Sequence, residues 1–408
     1  MKRYNRLYEQ ICSYDHLLLA AQNARRGKQK QQTVQEFFLR FESNIRSLQE
    51  ELVTHTFKTS TYSVFTVYEP KERIIYSLPF KDRVVHWAVM LVLEPIWVSH
   101  FTADSYSCIK GRGIHGLLHK LSENLRIDSV GTTYCLKIDV KKFYPSIDHA
   151  ILKRIVRKKI KDAELLALLD EIIDSVPDGK GVPIGNFLSQ FFANLYLTEL
   201  DHRLKEECHI KYYYRYADDM VILHSSKEFL HGLLVYLNHY LNVERELTLK
   251  SNYQIFPVNA RGIDFAGYVF YHTHILARKK NKQGLIRKVL ALRKQGRSEE
   301  EIRLETASRI GFMIHCNSRH LLKTLNMTGM KKFSDVAKTT GKFEGLKLHI
   351  NDVLDKTIKV LAYELTDSKH NADKCLTIQY EIEEELLQAD ETTKTEWVKH
   401  ITFTGSKS

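Results

Sequence analysis

Residues 211–224 read Lys-Tyr-Tyr-Tyr-Arg-Tyr-Ala-Asp-Asp-Met-Val-Ile-Leu-His, two β-prone runs that meet at a pair of adjacent acids. Aromatic and β-branched residues favour strands and Asp does not, so this stretch predicts a hairpin with Asp218 and Asp219 at its turn. Whatever else the chain does, it must build an antiparallel pair with two carboxylates at one end. Such a tip can hold a cation. An ordinary polar turn, where Asp is common for reasons unrelated to metal, accounts for the same residues.

A second acid stands in a comparable place. Thr133 to His149 gives an apolar run ending in Asp139, then Phe143-Tyr144, then Pro145 before a helical pattern. An acid at the end of a buried strand is costly unless it meets a cation or a hydrogen-bond donor, and an N-cap or a salt bridge would satisfy it equally. Taken together, Asp139, Asp218 and Asp219 form a set of three carboxylates that adjoining strands of one sheet could present. Nucleotidyl transfer uses two divalent ions about 3.5–4 Å apart, one to activate an attacking hydroxyl and one to neutralise the leaving group, and three such carboxylates can hold them.

The charge balance fits a polyanionic partner. The 408 residues include 61 Lys and Arg against 49 Asp and Glu, a net charge of +12, and the pI is near 9.2. The excess is uneven: residues 278–343 hold 17 Lys and Arg against 5 acids, whereas residues 346–408 hold 8 Lys and 12 acids. A hydrophobic content of 43% allows two or three packed domains. The six cysteines include no Cys-x-x-Cys pair, which argues against zinc and against a disulfide framework and suits a cytoplasmic protein. No apolar signal core and no run of 18 apolar residues is present, so neither secretion nor a membrane span is expected.

In chain order, residues 4–22 predict a helix, and a basic loop follows at 25–30. Thr33 and Glu36 form a capping-box pattern opening a helix whose apolar face includes Phe37, Phe38, Phe41, Ile45, Leu48 and Leu52. Strands are expected at 61–68 and, after Pro70, at 71–75, where Arg73 is either a surface residue or a guanidinium suited to phosphate oxygens. Pro79 to Leu93 predicts a long helix. The segment Ser105 to His115 places Lys110 and Arg112 among Gly111 and Gly113 ahead of a further helix, a loop whose backbone can approach an anion.

Between the two acidic elements lies Gly179-Lys180-Gly181-Val182-Pro183-Ile184-Gly185-Asn186-Phe187-Leu188-Ser189-Gln190. With this block in place the chain resembles a reverse transcriptase. The matching blocks run in that family's order: Arg73 with Asp82-Arg83, the Lys110–Gly113 loop, Asp139 with Phe143-Tyr144, Gly185 to Gln190, Tyr216 to Asp219, the surroundings of Lys250, and Phe265-Ala266-Gly267-Tyr268. The resemblance implies an α+β right-hand fold of fingers, palm and helical thumb. It implies an N-terminal helical extension and the start of the fingers over 1–70, the fingers and palm core over 71–277 and a basic helical thumb over 278–345, and the strand pattern past Gly345 adds a small β-rich appendage over 346–408.

Most families of this kind carry Gln-Gly at the start of the central block and Ser-Pro at its end. Ile184-Gly185 and Ser189-Gln190 resemble instead the reverse transcriptases of diversity-generating retroelements, which copy a template-repeat RNA with errors at adenines. An aliphatic Ile184 under the nascent pair cannot supply the hydrogen bonds of an amide. The resemblance implies Asp139, Asp218 and Asp219 as ligands of two Mg²⁺ ions, with Mn²⁺ as a substitute, and the main-chain carbonyl of Val140 as a further ligand. It implies that Tyr144 excludes a 2′-hydroxyl and that Lys250 protonates pyrophosphate, although a core aromatic and a surface lysine fit those positions too. Arg73, Ile184, Gly185 and Gln190 would contact the deoxynucleoside triphosphate. Lys110, Arg112, Gly267, Tyr268, Arg309 and Arg319 would contact the RNA/cDNA duplex, with 262–271 as the hairpin that positions the primer.

Implied partners are the template-repeat RNA and a small basic accessory protein that assembles as a ring, in a bacterial or phage-encoded system. The spacing of His315, Cys316 and His320 matches no usual metal site. Past Gly345, short strands are expected at 346–350, 356–365, 374–383 and 396–403, separated by polar turns and the acidic run Glu381 to Glu385. Two alternatives share the palm: a retron, phage-defence or intron-type enzyme that copies adenines faithfully, and a non-catalytic nucleic-acid-binding protein.

Overall fold

Helices open the chain, and their breaks fall at single residues. The expected helix over 4–22 is divided into Tyr8–Cys12 and Tyr14–Arg25 because Ser13 is extended (φ −67°, ψ 142°). The next helix begins at Gln32, ahead of the expected capping box, so Thr33 lies inside it and no side chain caps its start. Arg40 (φ −124°, ψ 44°) separates that helix from Phe41–Val53. The apolar stripe crosses both segments regardless: Phe37, Ile45, Leu48 and Leu52 are buried and Phe38 and Phe41 pack at their margin.

The computed structural model describes residues 3–68 and 72–327 together with strands at 346–347, 358–367, 374–387 and 393–403. It divides into two compact units, Met1–Leu325 and Asn326–Ser408. In the first, β1 (Ser63–Val67) and β2 (Arg73–Ser77) form an antiparallel pair with Val67 opposite Arg73. The helix Phe80–Val98 follows, apolar on most of its circumference and accordingly buried, with Trp97 fully enclosed.

The central sheet comprises β3 (Tyr134–Asp139), β4 (Tyr212–Tyr216), β5 (Asp219–His224) and β6 (Gln254–Pro257), in the antiparallel order β4-β5-β3-β6. Its strands are apolar on both sides because both faces are covered. Leu136, Ile138, Tyr213, Met220 and Ile222 join the core built with the helices Phe187–His202 and Lys227–Arg245. Cys135, Tyr212, Tyr214, Val221 and Leu223 face the second core, shared with the helix Gly113–Ile127. The period-2 alternation of a pleated strand thus assigns each residue to one core or the other.

Beyond the sheet, β7 (Ile263–Phe265), β8 (Tyr268–Phe270) and β9 (Ile275–Ala277) make a small antiparallel sheet. The helix Lys279–Lys294 leads to Glu299–Met313, which opens on a reciprocal capping box of Ser298 and Glu301. The helical stretch expected at 307–322 is interrupted after Met313 and resumes at Arg319–Thr324. The part of the expected thumb at 328–345 lies outside the described residues.

The second unit is a four-stranded sheet of β10 (Leu346–Lys347), β11 (Ile358–Asp367), β12 (Lys374–Leu387) and β13 (Thr393–Phe403), ordered β10-β13-β12-β11. β10 runs parallel to β13 and the other neighbours are antiparallel. The acidic run Glu381 to Glu385, expected as a break, continues β12. Its residues are paired across to β13, with Lys399 opposite Glu381, and this pairing overrides the low strand propensity of Glu.

Candidate active site

The sheet register brings the three acids to one end. Asp139, last in β3, is the cross-strand partner of Asp219, first in β5, and Asp219 is also paired with Tyr216 of β4. Only Ala217 and Asp218 lie between β4 and β5, and Ala217 takes a left-handed φ of 57° in a tight loop of the sort that usually employs Gly or Asn. Asp139 is fixed from its other side as well: the Lys250 N–H donates to its carbonyl at 2.9 Å, and Val140 bridges Leu249.

Electrostatics show how crowded this corner is. Burial pushes the Asp218 carboxyl up to about 6, with the charge of Asp139 adding to the effect. Burial likewise lifts Asp219 to about 7, opposed by Lys137 and reinforced by Asp139 and Asp218. Lys250 Nζ donates to Asp139 Oδ2 at 2.6 Å, and Lys137 Nζ lies 3.6 Å from Asp219 Oδ2. Lys137 also donates to the carbonyl of Asp264 next door in β7.

The donor set fits divalent ions. Three carboxylates gather at adjoining strand ends, and the buried oxygens Asp139 Oδ1 and Asp219 Oδ1 have no hydrogen-bond partner. Among the described residues no three acid, His or Cys side chains converge on a single point. Asp139 and Asp219 each turn their other oxygen to a lysine, Lys250 and Lys137, which leaves Oδ1 of each for a cation.

The aromatic and glycine blocks surround the acids. Lys142 (φ 48°) turns the chain into a short helix, Phe143–Ser146, that carries Tyr144 half-buried. Burial raises the Tyr144 phenol, and the charges of Cys108 and Asp218 raise it further, against Arg73 and Arg215. The Tyr144 carbonyl accepts from Val182 N–H at 3.0 Å, and Ile147 from Gly181 at 2.7 Å, so the central block runs alongside this segment. Two residues on, Tyr76 N–H of β2 donates to the Ile184 carbonyl at 3.0 Å. Gly185 has φ 118°, and a Cβ there would stand 3.0 Å from the Tyr76 carbonyl oxygen. Ile184 is thereby anchored to the strand that begins with the exposed Arg73, while Gln190 is half-buried in the helix Phe187–His202.

Residues 67–269 match the family model described as reverse transcriptase (RNA-dependent DNA polymerase). This stretch is a reverse transcriptase domain. Its relatives include Protein YkfC of Escherichia coli K12, 29% identical over 137 residues, which are 31% of this chain and 35% of that protein. The group II intron-encoded protein LtrA of Lactococcus lactis subsp. cremoris is 28% identical over 30% of this chain and 21% of its own length. The retron Ec73 reverse transcriptase of Escherichia coli is 28% identical over 38% of this chain and 48% of that protein. The chain thus spans 35% of the length of the first of these relatives, 21% of the second and under half of the last. Residues 344–408 match a family described as a domain of unknown function.

Around the reverse transcriptase domain, the residues expected on the duplex divide into exposed and enclosed. Lys110, Arg309 and Arg319 are exposed. Arg112 is turned into its own loop, where its guanidinium donates to the carbonyls of Thr102 and Ser105, the latter at 3.0 Å. Tyr268 has no exposed surface: its hydroxyl donates to the Phe312 carbonyl at 2.8 Å and its ring stacks on Phe312 at 4.1 Å. A Cβ at Gly267 would meet Phe312 at 2.8 Å. Gly267 and Tyr268 therefore seat the hairpin on the helix Glu299–Met313, and a direct contact of Tyr268 with nucleic acid is excluded by its burial.

Sequence reasoning missed two parts of the site. One is Lys137, an exposed-looking cation between apolar residues of β3. The other is a network around Arg215, a guanidinium only 1% exposed in the middle of β4 and paired with the fully buried Asp201. The signal for the latter was present: a charge inside an otherwise apolar strand requires a buried partner.

Proposed function

We propose that this chain is an RNA-directed DNA polymerase and, more narrowly, the error-prone copying enzyme of a diversity-generating retroelement. The observation that carries the polymerase reading is the register that sets Asp139 opposite Asp219 with Asp218 at the adjoining turn. Two Mg²⁺ ions, or Mn²⁺ in their place, held by Asp139, Asp218, Asp219 and the Val140 carbonyl would lower the pKa of the primer 3′-hydroxyl and neutralise the triphosphate. Lys250, within 2.6 Å of Asp139, holds a proton beside the reacting groups. Tyr144 closes the side of the pocket that a 2′-hydroxyl would occupy, and Arg73 offers its planar fork to the triphosphate. Template-repeat RNA, its duplex with cDNA, deoxynucleoside triphosphates and a small basic accessory protein are the partners of this reading.

The narrower claim rests on Ile184-Gly185 and Ser189-Gln190. Ile184 is anchored by its main chain to β2, and its side chain has no donor or acceptor with which to test the geometry of a nascent pair. The similarity to LtrA and to the retron Ec73 reverse transcriptase favours a second reading, a polymerase of the intron or retron type that copies adenines faithfully.

Primer extension on a defined RNA separates these. The polymerase reading requires that Asp218→Ala abolish extension; activity equal to wild type would refute it. Sequencing the cDNA then tests the subclass, since adenine errors no commoner than errors at other bases would leave only the second reading.

A further inference from the structure

We infer that Arg215 is a positioning residue, a buried guanidinium that ties the Thr102–Gly113 loop and the helix Phe187–His202 to the Asp218-Asp219 turn and so sets where those carboxylates stand. The inference rests on the reading of Asp218 and Asp219 as cation ligands. An arginine has five N–H donors in a rigid fork, and here every one has a destination. Nε donates to Asp201 Oδ1 at 2.8 Å, and Nη2 donates to Asp201 Oδ2 at 2.6 Å and to Ser105 Oγ at 2.8 Å. Nη1 donates to Asn194 Oδ1 at 3.1 Å and to the Ala217 carbonyl at 3.0 Å.

The partners are themselves constrained. Asp201 also accepts from Tyr213 Oη at 2.6 Å and from Ser105 Oγ at 2.9 Å. Asn194 Nδ2 donates to the Ser107 carbonyl at 2.8 Å. The main chain repeats the connection: Arg215 N–H donates to the Asp104 carbonyl at 2.9 Å and the Arg215 carbonyl accepts from Tyr106 N–H at 3.0 Å, so the loop lies along β4 as a short parallel bridge. Arg112, turned inward onto Thr102 and Ser105, stiffens the same loop from its other end.

Stability alone does not call for this arrangement, because an apolar side chain of similar volume in such a place is often as stable as a buried ion pair. What a hydrocarbon cannot do is hold the Ala217 carbonyl. Ala217 is the left-handed residue immediately before Asp218, in a conformation that strains an L-residue. A charge-assisted hydrogen bond to that carbonyl keeps the loop in the geometry that presents both acids. Lysine, with three donors on a flexible stem, cannot serve Asp201, Ser105, Asn194 and Ala217 together.

The test compares the full chain with Arg215→Lys and with Asn194→Ala, which leaves the Arg215–Asp201 pair in place and removes one of its supports. Three measurements are made on each: thermal unfolding, Mn²⁺ binding by electron paramagnetic resonance, and steady-state primer extension across a Mg²⁺ titration. Arg215→Lys should weaken Mn²⁺ binding and shift the Mg²⁺ midpoint by about tenfold, the equivalent of one charge-assisted hydrogen bond. It should lower kcat with the template–primer KM unchanged. Asn194→Ala should move the same quantities in the same direction by a smaller factor, and it carries the test should Arg215→Lys fail to fold. Wild-type Mn²⁺ affinity and kcat in the folded variants would overturn the inference alone. A wild-type chain that binds no Mn²⁺ would overturn the reading of the acids, and the inference with it.

Discussion

Lys250 reaches Asp139 twice, through its main-chain N–H to the Asp139 carbonyl and through Nζ to Oδ2 at 2.6 Å. The backbone contact holds Lys250 beside Asp139, and on the proposed reading its ammonium would protonate the departing pyrophosphate. Lys250→Ala is expected to lower kcat by about a hundredfold, in the range of general acid catalysis, with little change in the KM for nucleotide. Single-turnover incorporation on a fixed template–primer measures it, and an unchanged rate would make Lys250 a structural partner of Asp139 only.

Tyr144 stands half-buried, with its carbonyl held by Val182 N–H. Tyr144→Ala should leave that backbone contact intact and, on the proposed reading, open the space beside the sugar. The ratio of kcat/KM for deoxyribonucleotide over ribonucleotide should fall by about 10–100-fold, as pocket-shape discrimination allows. Competition between dGTP and GTP on one template reads the ratio directly, and an unaltered value would sink the assignment.

Gly185 is close to the carbonyl of Tyr76 and holds φ at 118°. Gly185→Ala should therefore push the central block off β2 and destabilise the fold by about 1–3 kcal/mol. Urea unfolding checks the stability. In the same protein, nucleotide KM should rise more than kcat falls, because the proposed function sets the disturbed residues against the incoming nucleotide. Gln at position 184 is a separate matter: Ile184→Gln should bring adenine errors in the cDNA closer to those at other bases.

His86 lies fully buried in the helix Phe80–Val98 with Nε2 unpartnered, and burial pushes its imidazole down to about 4. The unfolded chain takes up this proton near pH 6.5, well before the folded one does. The stability His86 allows is therefore complete above pH 6.5 and is lost as pH falls from there towards 4. Its share of the loss should be about 2 kcal/mol at pH 5. Urea midpoints at pH 7, 6 and 5 should drop less steeply for His86→Gln than for wild type, and parallel curves would show that other groups set the slope.

The acid-bearing hairpin and the strand ending in Asp139 are legible because their residues are β-prone and their polar breaks are sharp. Helix boundaries were read less well. Nothing local marks Ser13 or Arg40 as a break, and Thr33 with Glu36 forms a capping pattern that packing of the earlier turn overrides. Arg112 and Tyr268 each have a residue type suited to nucleic acid, yet their polar groups are engaged by carbonyls that a linear reading does not bring near, those of Ser105 in a loop fold and of the distant Phe312. Arg215 shows the converse. Its oddity was visible in the strand, but Asp201, Asn194 and Ser105 come from other elements that only the fold assembles.

The pairing of Asp139 with Asp219 also limits how this domain can be altered. In a pleated ladder, a slip of one residue moves every side chain of a strand to the opposite face. Inserting or deleting a single residue within β3 would send Asp139 away from Asp219 and at the same stroke exchange Leu136 and Ile138 for Cys135 and Lys137 against the helical core. Loss of the site and loss of the fold are one event there, so lengths can drift in the connecting loops and not between Tyr134 and Asp139.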